Sequence, residues 1–179
     1  MEVQPEDYIR IIAPPPVVLV STLHNEVKNI APFGMVMPIS HSPPMMALGI
    51  FEYWDTFKNI TDTKDFVVAY PTPDLVKQIE IAAERWPRNI SEFEKTGLTP
   101  IHSKLVKSFR VKECQVNLEC QLEWCKPAGD HHVVVGRIVS ADITDVLWGE
   151  ELSRSMIAPV YDAGGKERLY ARKGELLNL

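Results

Sequence analysis

Apolar and polar residues alternate strictly between residues 113 and 124. Cys114, Val116, Leu118, Cys120, Leu122 and Trp124 fall on one side, and Glu113, Gln115, Asn117, Glu119, Gln121 and Glu123 on the other. A sustained period of two predicts a long antiparallel strand with one buried face and one wet or interface face. Lys126-Pro127-Ala128-Gly129-Asp130 reads as a turn, and residues 131–143 as the returning partner strand. Gly136, inside that partner, predicts a bulge or the close approach of a ligand. Shorter apolar runs at residues 17–22, 45–51 and 66–70 predict further buried strands, the last closed by Pro71. His24-Asn25-Glu26 is the turn after the first of them. Pro14-Pro15-Pro16 ends an irregular arm before it, because three fixed φ angles suit neither a helix interior nor a central strand. Towards the C-terminus, residues 156–161, a Gly164-Gly165 turn and a short segment around Leu169-Tyr170 add to the strand count.

Helical spacing is confined to two places. Asp55 is placed to cap a short helix reaching about Asp62. Thr72-Pro73-Asp74 opens a longer one with a hydroxyl cap, a first-turn proline and an acid at the positive end of the dipole. Leu75, Ile79, Ala82, Ala83 and Trp86 share one face of it, and Pro87 stops it. Many short strands, frequent turns and few helices predict a mainly β closed or split barrel.

A chain of 179 residues suits one domain spanning residues 1–179. The net charge is −5 and Lys and Arg nowhere form a run, which argues against a nucleic-acid partner. No apolar stretch reaches the length of a membrane span. The start, Met1-Glu2-Val3-Gln4-Pro5-Glu6-Asp7, is acidic, opposite to the basic start of a secretory signal. Three cysteines, an odd number, then read as reduced thiols of a cytoplasmic protein. Their spacing from His131 and His132 matches no metal motif, so no metal site is expected.

Three phrases in fixed order carry more. They are Asn29-Ile30-Ala31-Pro32-Phe33 followed by Ser42-Pro43-Pro44; Asp55-Thr56-Phe57-Lys58-Asn59-Ile60; and Ser91-Glu92-Phe93-Glu94-Lys95-Thr96-Gly97-Leu98-Thr99-Pro100, leading to Asn117-Leu118-Glu119-Cys120. Together they resemble the flavin reductase-like family, the FMN-binding split barrels that include flavoredoxins and archaeal ferric reductases. The resemblance covers roughly residues 14–142. It implies a six-stranded antiparallel Greek-key split barrel with a few appended helices. It implies FMN, rather than FAD, as cofactor, with NADH or NADPH as a transient substrate. By the same resemblance the cofactor contacts are Thr22, Asn29, Ile30, Ala31, Pro32, Phe33, Gly34, Asp55, Thr56, Lys58 and Asn59, and His131 stands in the catalytic site near the nicotinamide.

The residue chemistry bears on these positions separately. A loop at residues 29–34 offers small residues for close approach to a flat ring and the Asn29 amide for its polar edge; a turn with an apolar plug reads the same way. Asn29→Ala is accordingly expected to weaken FMN binding and leave the fold intact. Asp55, Thr56 and Lys58 at a helix start suit a phosphate and ribityl end, and equally suit plain capping. The resemblance has a polar or basic residue where Trp54 stands, so one phosphate donor is either missing or supplied from elsewhere, with Lys95 or a partner subunit as candidates. Gly34 replaces a frequent Ser, and Phe109 a usual Pro. Residues 91–100 read as a lid or dimer loop, with Thr96, Gly97 and Leu98 able to line the cavity. Tyr161, Arg168 and Tyr170 belong to a segment near the expected site mouth.

The function implied is an NAD(P)H-dependent flavin oxidoreductase, a homodimer with flavin near the interface. Its acceptor would be free flavin, a ferric complex or an iron–sulfur protein. The alternatives are an FMN electron carrier that does not use NAD(P)H and a flavin-free barrel.

Overall fold

The computed structural model describes residues 15–143, 159–164 and 169–172, with residues 4, 5, 8 and 12 of the N-terminal arm. The hub of its sheet is strand β1, Pro16–His24. Asn25 and Glu26, at φ 44° and 69°, turn it back into β2, Val27–Phe33. Two consecutive left-handed residues make the tight hairpin turn whose twist matches antiparallel strands. That turn sets the register, opposing Thr22 to Asn29 and Leu19 to Pro32. Residues 29–33, expected as a loop, are therefore strand: β1 supplies ladder partners to a segment whose own composition suggests a turn.

Gly34 and Met35 lead into β3, Val36–His41, which pairs with β4, Pro44–Ile50. Helix α1, Asp55–Thr63, and strand β5, Asp65–Tyr70, follow. A 3₁₀ turn over Pro73–Leu75 precedes helix α2, Val76–Ala82, and then helix α3, Glu92–Thr96. The short strands β6, Pro100–Ile101, and β7, Arg110–Val111, pair with each other. The long hairpin is β8, Val116–Ala128, with β9, His131–Ile143. Strands β10, Val160–Gly164, and β11, Leu169–Arg172, complete the described elements.

Seven antiparallel strands from residues 16–143 run in the order β2-β1-β5-β8-β9-β4-β3. The outermost two, β2 and β3, are consecutive in the chain and joined only through Gly34 and Met35. The sheet must therefore curl until its ends meet at that link. The result is a barrel split along the β2–β3 seam, with seven strands where the resemblance implies six. Strands β10 and β11 add to it at the start of β1, where Val17 opposes Val160.

β1 is buried on both faces. Val18 and Val20 point into the barrel with Leu48, Ile60, Phe66 and Val134. Val17 and Leu19 point out, under Ile79 of α2 and Phe93 of α3. A strand sandwiched in this way reads as a continuous apolar run rather than an alternation. Each such side chain contributes about 1.5–3 kcal/mol on burial. The close approach foreseen at Gly136 comes from the protein itself. A Cβ there would lie 2.3 Å from Phe66 Cζ and 3.0 Å from Cys120 Cβ.

Three expectations need correction. The polar face of β8 is not wet at Asn117 and Glu119, which are both buried. Segment 99–115 folds over it. Asn117 accepts from the Val111 N–H at 2.8 Å and donates back to the Val111 carbonyl at 3.1 Å. Glu119 accepts from the Lys104 and Leu105 N–H groups, and from the Arg110 guanidinium. Burial alone would raise the Glu119 carboxyl; these donors outweigh it and hold the carboxyl below its ordinary range. Second, Asp55 is not the α1 cap. Trp54 holds the cap position with no side-chain bond, and Asp55 is the first helical residue. Third, α2 ends at Ala82, well before Pro87. Trp86 lies beyond it, with its indole N–H donating to the Ile81 carbonyl at 3.1 Å.

The expected lid at residues 91–100 is partly helix α3, stopped by Gly97 at φ 73°. Phe109 packs against the outer core, with Lys28 Nζ 5.0 Å above its ring. Met156, Gly165 and Arg168 lie outside the described residues, as do the side chains of Tyr161 and Tyr170. Among the described residues no helix is long and apolar enough to cross a membrane, and no three His, Cys, Asp or Glu side chains converge as metal ligands.

Candidate functional site

A half-open cleft of about 750 Å³ lies on the barrel seam, within the ~300–1,000 Å³ range of small-molecule sites. β2 and the seam link supply one wall, with Ala31, Pro32, Phe33, Gly34 and Met35. These residues line the cleft because β2 is an edge strand and leaves one side uncovered. A second wall is aromatic. Trp54 packs edge-on against Phe33 and Phe51, at centroid distances of 5.5 and 5.1 Å. His131 joins it from the start of β9, its ring centroid 3.6 Å from that of Phe51. His131 Nδ1 lies 2.7 Å from Asp130 Oδ1. A carboxylate only accepts, so Nδ1 carries the proton and Nε2 is left for other partners. The third wall comes from Ala82 at the end of α2, from residues 83–86 after it, including Arg85 and Trp86, and from Glu92 at the start of α3.

Behind β2 the polar side chains form one buried network. Thr22 donates to Asn29 Oδ1 at 3.1 Å, and Thr56 donates to the same oxygen at 3.3 Å. Asn59 Nδ2 donates to Thr22 Oγ1 at 3.0 Å, and Arg88 donates to Asn59 Oδ1 at 2.9 Å. Asn29 Nδ2 donates to Glu92 Oε1 at 3.0 Å, and the Ile30 N–H to Glu92 Oε2 at 3.4 Å. Glu92 is 8% exposed and no cation pairs with it among the described residues. Burial pushes its carboxyl above the ordinary range, with Asp55 adding a smaller repulsion, against the partial relief of those two donors.

The cofactor contacts implied by resemblance thus divide. Asn29, Ala31, Pro32, Phe33, Gly34, Asp55, Thr56 and His131 line the cleft. Thr22, Ile30 and Asn59 are buried behind it, and Lys58 is not among its lining residues. Asn29 turns its oxygen to Thr22 and Thr56, so only its amide nitrogen retains bonding capacity. Thr96, Gly97 and Leu98 do not line the cleft. Lys95 sits with its Nζ 4.8 Å over the Trp86 ring. Arg85, Trp86, Glu92, Phe51 and Tyr53 were missed. Only Glu92, inside the third phrase, carried a sequence signal.

Apolar small-residue and aromatic walls with a few polar groups at their ends fit a flat aromatic ligand with a polar edge. The fold and cleft thus define a ligand-binding split barrel. The chain belongs to the flavin reductase like domain family, whose profile matches residues 12–154. Membership makes it a flavin-linked redox protein. An uncharacterized protein of Aquifex aeolicus strain VF5 is 34% identical over 164 residues, 87% of this chain and 84% of that one. Nitrilotriacetate monooxygenase component B from Bacillus cereus superimposes with a TM-score of 0.90 at 26% identity, covering 100% of this chain and 98% of its own. Flavoredoxin of Desulfovibrio vulgaris (Miyazaki F) shares the fold, with a TM-score of 0.84 at 23% identity over 94% and 91% of the two chains.

Proposed function

We propose that this chain binds FMN in the seam cleft and passes reducing equivalents from NADH or NADPH to a further acceptor. The observation that carries the reading is the size and lining of the cleft, which joins small residues of β2 and the seam link to an aromatic cluster. When bound, the flavin supplies two-electron chemistry, accepting hydride from the nicotinamide. The chain's part is to bind and orient. Ala31, Pro32 and Gly34 let a ring lie close to the backbone, while Phe33 and Trp54 exclude water from its face. Asn29 Nδ2 keeps one hydrogen beyond its bond to Glu92 for the ring's polar edge. His131 is held by Asp130 against Phe51, an aromatic surface on which a nicotinamide can stack. Alignment of the two rings at roughly 3–3.5 Å is what the chemistry requires, and no side chain has to act as acid or base. The exposed Met35 and Met37 beside the cleft offer apolar surface to a second copy in a homodimer.

The test is the visible spectrum of the anaerobic protein after loading with FMN, before and after NADH and then NADPH. Bleaching of the flavin band by either nucleotide is the expected result. A band that neither nucleotide bleaches would replace the reading with an electron carrier. No bound flavin at all would overturn it.

A further inference from the structure

The electrostatics of the cleft single out one cation. Arg85 is the only Lys or Arg among the described residues whose side chain lines it, and it is exposed with no ion pair or hydrogen-bond partner among those residues. The basic residues near α1 are already engaged. Lys58 Nζ lies 3.6 Å from Asp55 Oδ1. Arg88 reaches Asp55 at 3.9 Å and Asp62 at 3.8 Å, and donates to Asn59. The N-terminus of α1 is no better placed for an anion, because Asp55 in its first turn already answers the helix dipole. The Thr56 hydroxyl is given to Asn29. Asp55, Glu84 and Glu92 all line the cleft, so a phosphate entering it meets three acids and is attracted at one place. Next to Arg85, Trp86 carries Lys95 Nζ over its ring, a second positive charge behind that wall.

We infer that Arg85 is the phosphate-recognising residue of the cleft, binding the phosphate of FMN from the segment after α2 rather than from α1. This rests on the proposed FMN-binding reading and names the residue that would make the site prefer FMN to riboflavin. A guanidinium suits the role, since its planar fork matches two phosphate oxygens.

The experiment is a titration of FMN and of riboflavin into the wild type, Arg85→Ala and Arg85→Lys, followed by quenching of flavin fluorescence. The wild type should prefer FMN. Arg85→Ala should weaken FMN roughly tenfold or more, as loss of a charge-assisted bond does, and leave riboflavin within about twofold. Arg85→Lys should recover part of the loss. Arg85 is exposed and has no partner among the described residues, so the variants should fold as the wild type does. Equal loss of both flavins, or loss of neither, overturns the assignment. The same variants titrated with NADPH and NADH separate the other source of a phosphate: weakening of NADPH alone moves Arg85 to the nicotinamide nucleotide and overturns the flavin assignment. A wild type that binds both flavins equally overturns Arg85 while sparing the flavin reading; one that binds neither overturns both.

Discussion

Replacing Asn29 by Ala tests whether the polar network behind β2 is part of the fold. The substitution deletes the acceptor of two hydroxyls. Thr22 is fully buried and Thr56 is 2% exposed, so neither readily recovers water as a partner. It also removes one of the two side-chain-directed donors that hold Glu92. A buried group left unsatisfied costs about 1–3 kcal/mol. Two hydroxyls and a carboxylate would thus reach about 3–9 kcal/mol if the site stayed dry. Asn29 borders the cleft, and water entering there relieves Glu92 and part of the Thr56 loss, leaving about 2–4 kcal/mol. With a urea m-value of about 1–3 kcal/mol/M, the unfolding midpoint should fall by roughly 1 M or more with the slope unchanged. Chemical denaturation of the flavin-free protein, followed by Trp fluorescence, measures this directly. A midpoint shift below about 0.3 M would refute the reasoning, because it would mean that the network is open to solvent and Asn29 is replaceable. The sequence alone suggests that this variant keeps its fold; the geometry says that flavin affinity must be read only after stability has been measured.

Glu119→Gln should destabilise the protein by about 3 kcal/mol, the low end for breaking a buried ion pair, because Asp142 at 3.3 Å remains as a second partner for Arg110. The Glu119 carboxyl is held below the ordinary glutamate range, so its stabilisation is present above that range and lost as pH falls through the folded-state pKa. The variant should therefore lose less stability than the wild type on acidification below about pH 4.5; equally steep acid profiles by circular dichroism would contradict the assignment. Gly136→Ala drives a methyl to 2.3 Å from the fully buried Phe66 ring and should cost about 3 kcal/mol, near the top of the overpacking range. A melting temperature within a degree or two of the wild type would show that Phe66 yields.

The long hairpin of β8 and β9 was legible because its alternation is a local property of consecutive residues. What lies against its polar face was not. Asn117 and Glu119 look like solvent-facing residues until segment 99–115 brings Val111, Arg110 and two backbone N–H groups over them. Strand β2 was hidden for a related reason. Asn29 and Pro32 favour turns in isolation, and only pairing with β1 makes them strand. Helix α3 is five residues long, too short to show a period. Of the cleft lining, residues 29, 31–34, 55 and 56 fall within or beside the phrases that the sequence singles out. Arg85 and Trp86 follow a helix whose end was misjudged, and nothing in their neighbourhood along the chain marks them as facing a cleft.

A curled sheet that does not close leaves strands without a neighbour on one side. Among the described residues these include β2, β3 and residues 123–128 of β8. Each contains a proline, at Pro32, Pro38 and Pro127, and the last is flanked by Lys126, whose Nζ also covers the exposed Trp124 ring at 5.3 Å. Proline has no N–H to offer an incoming strand, and a charge beside it resists burial in a growing sheet. The openness that gives the cleft its place on the seam is thus guarded against edge-to-edge aggregation. Exchanging these prolines for β-branched residues would trade solubility for strand propensity along the open edges.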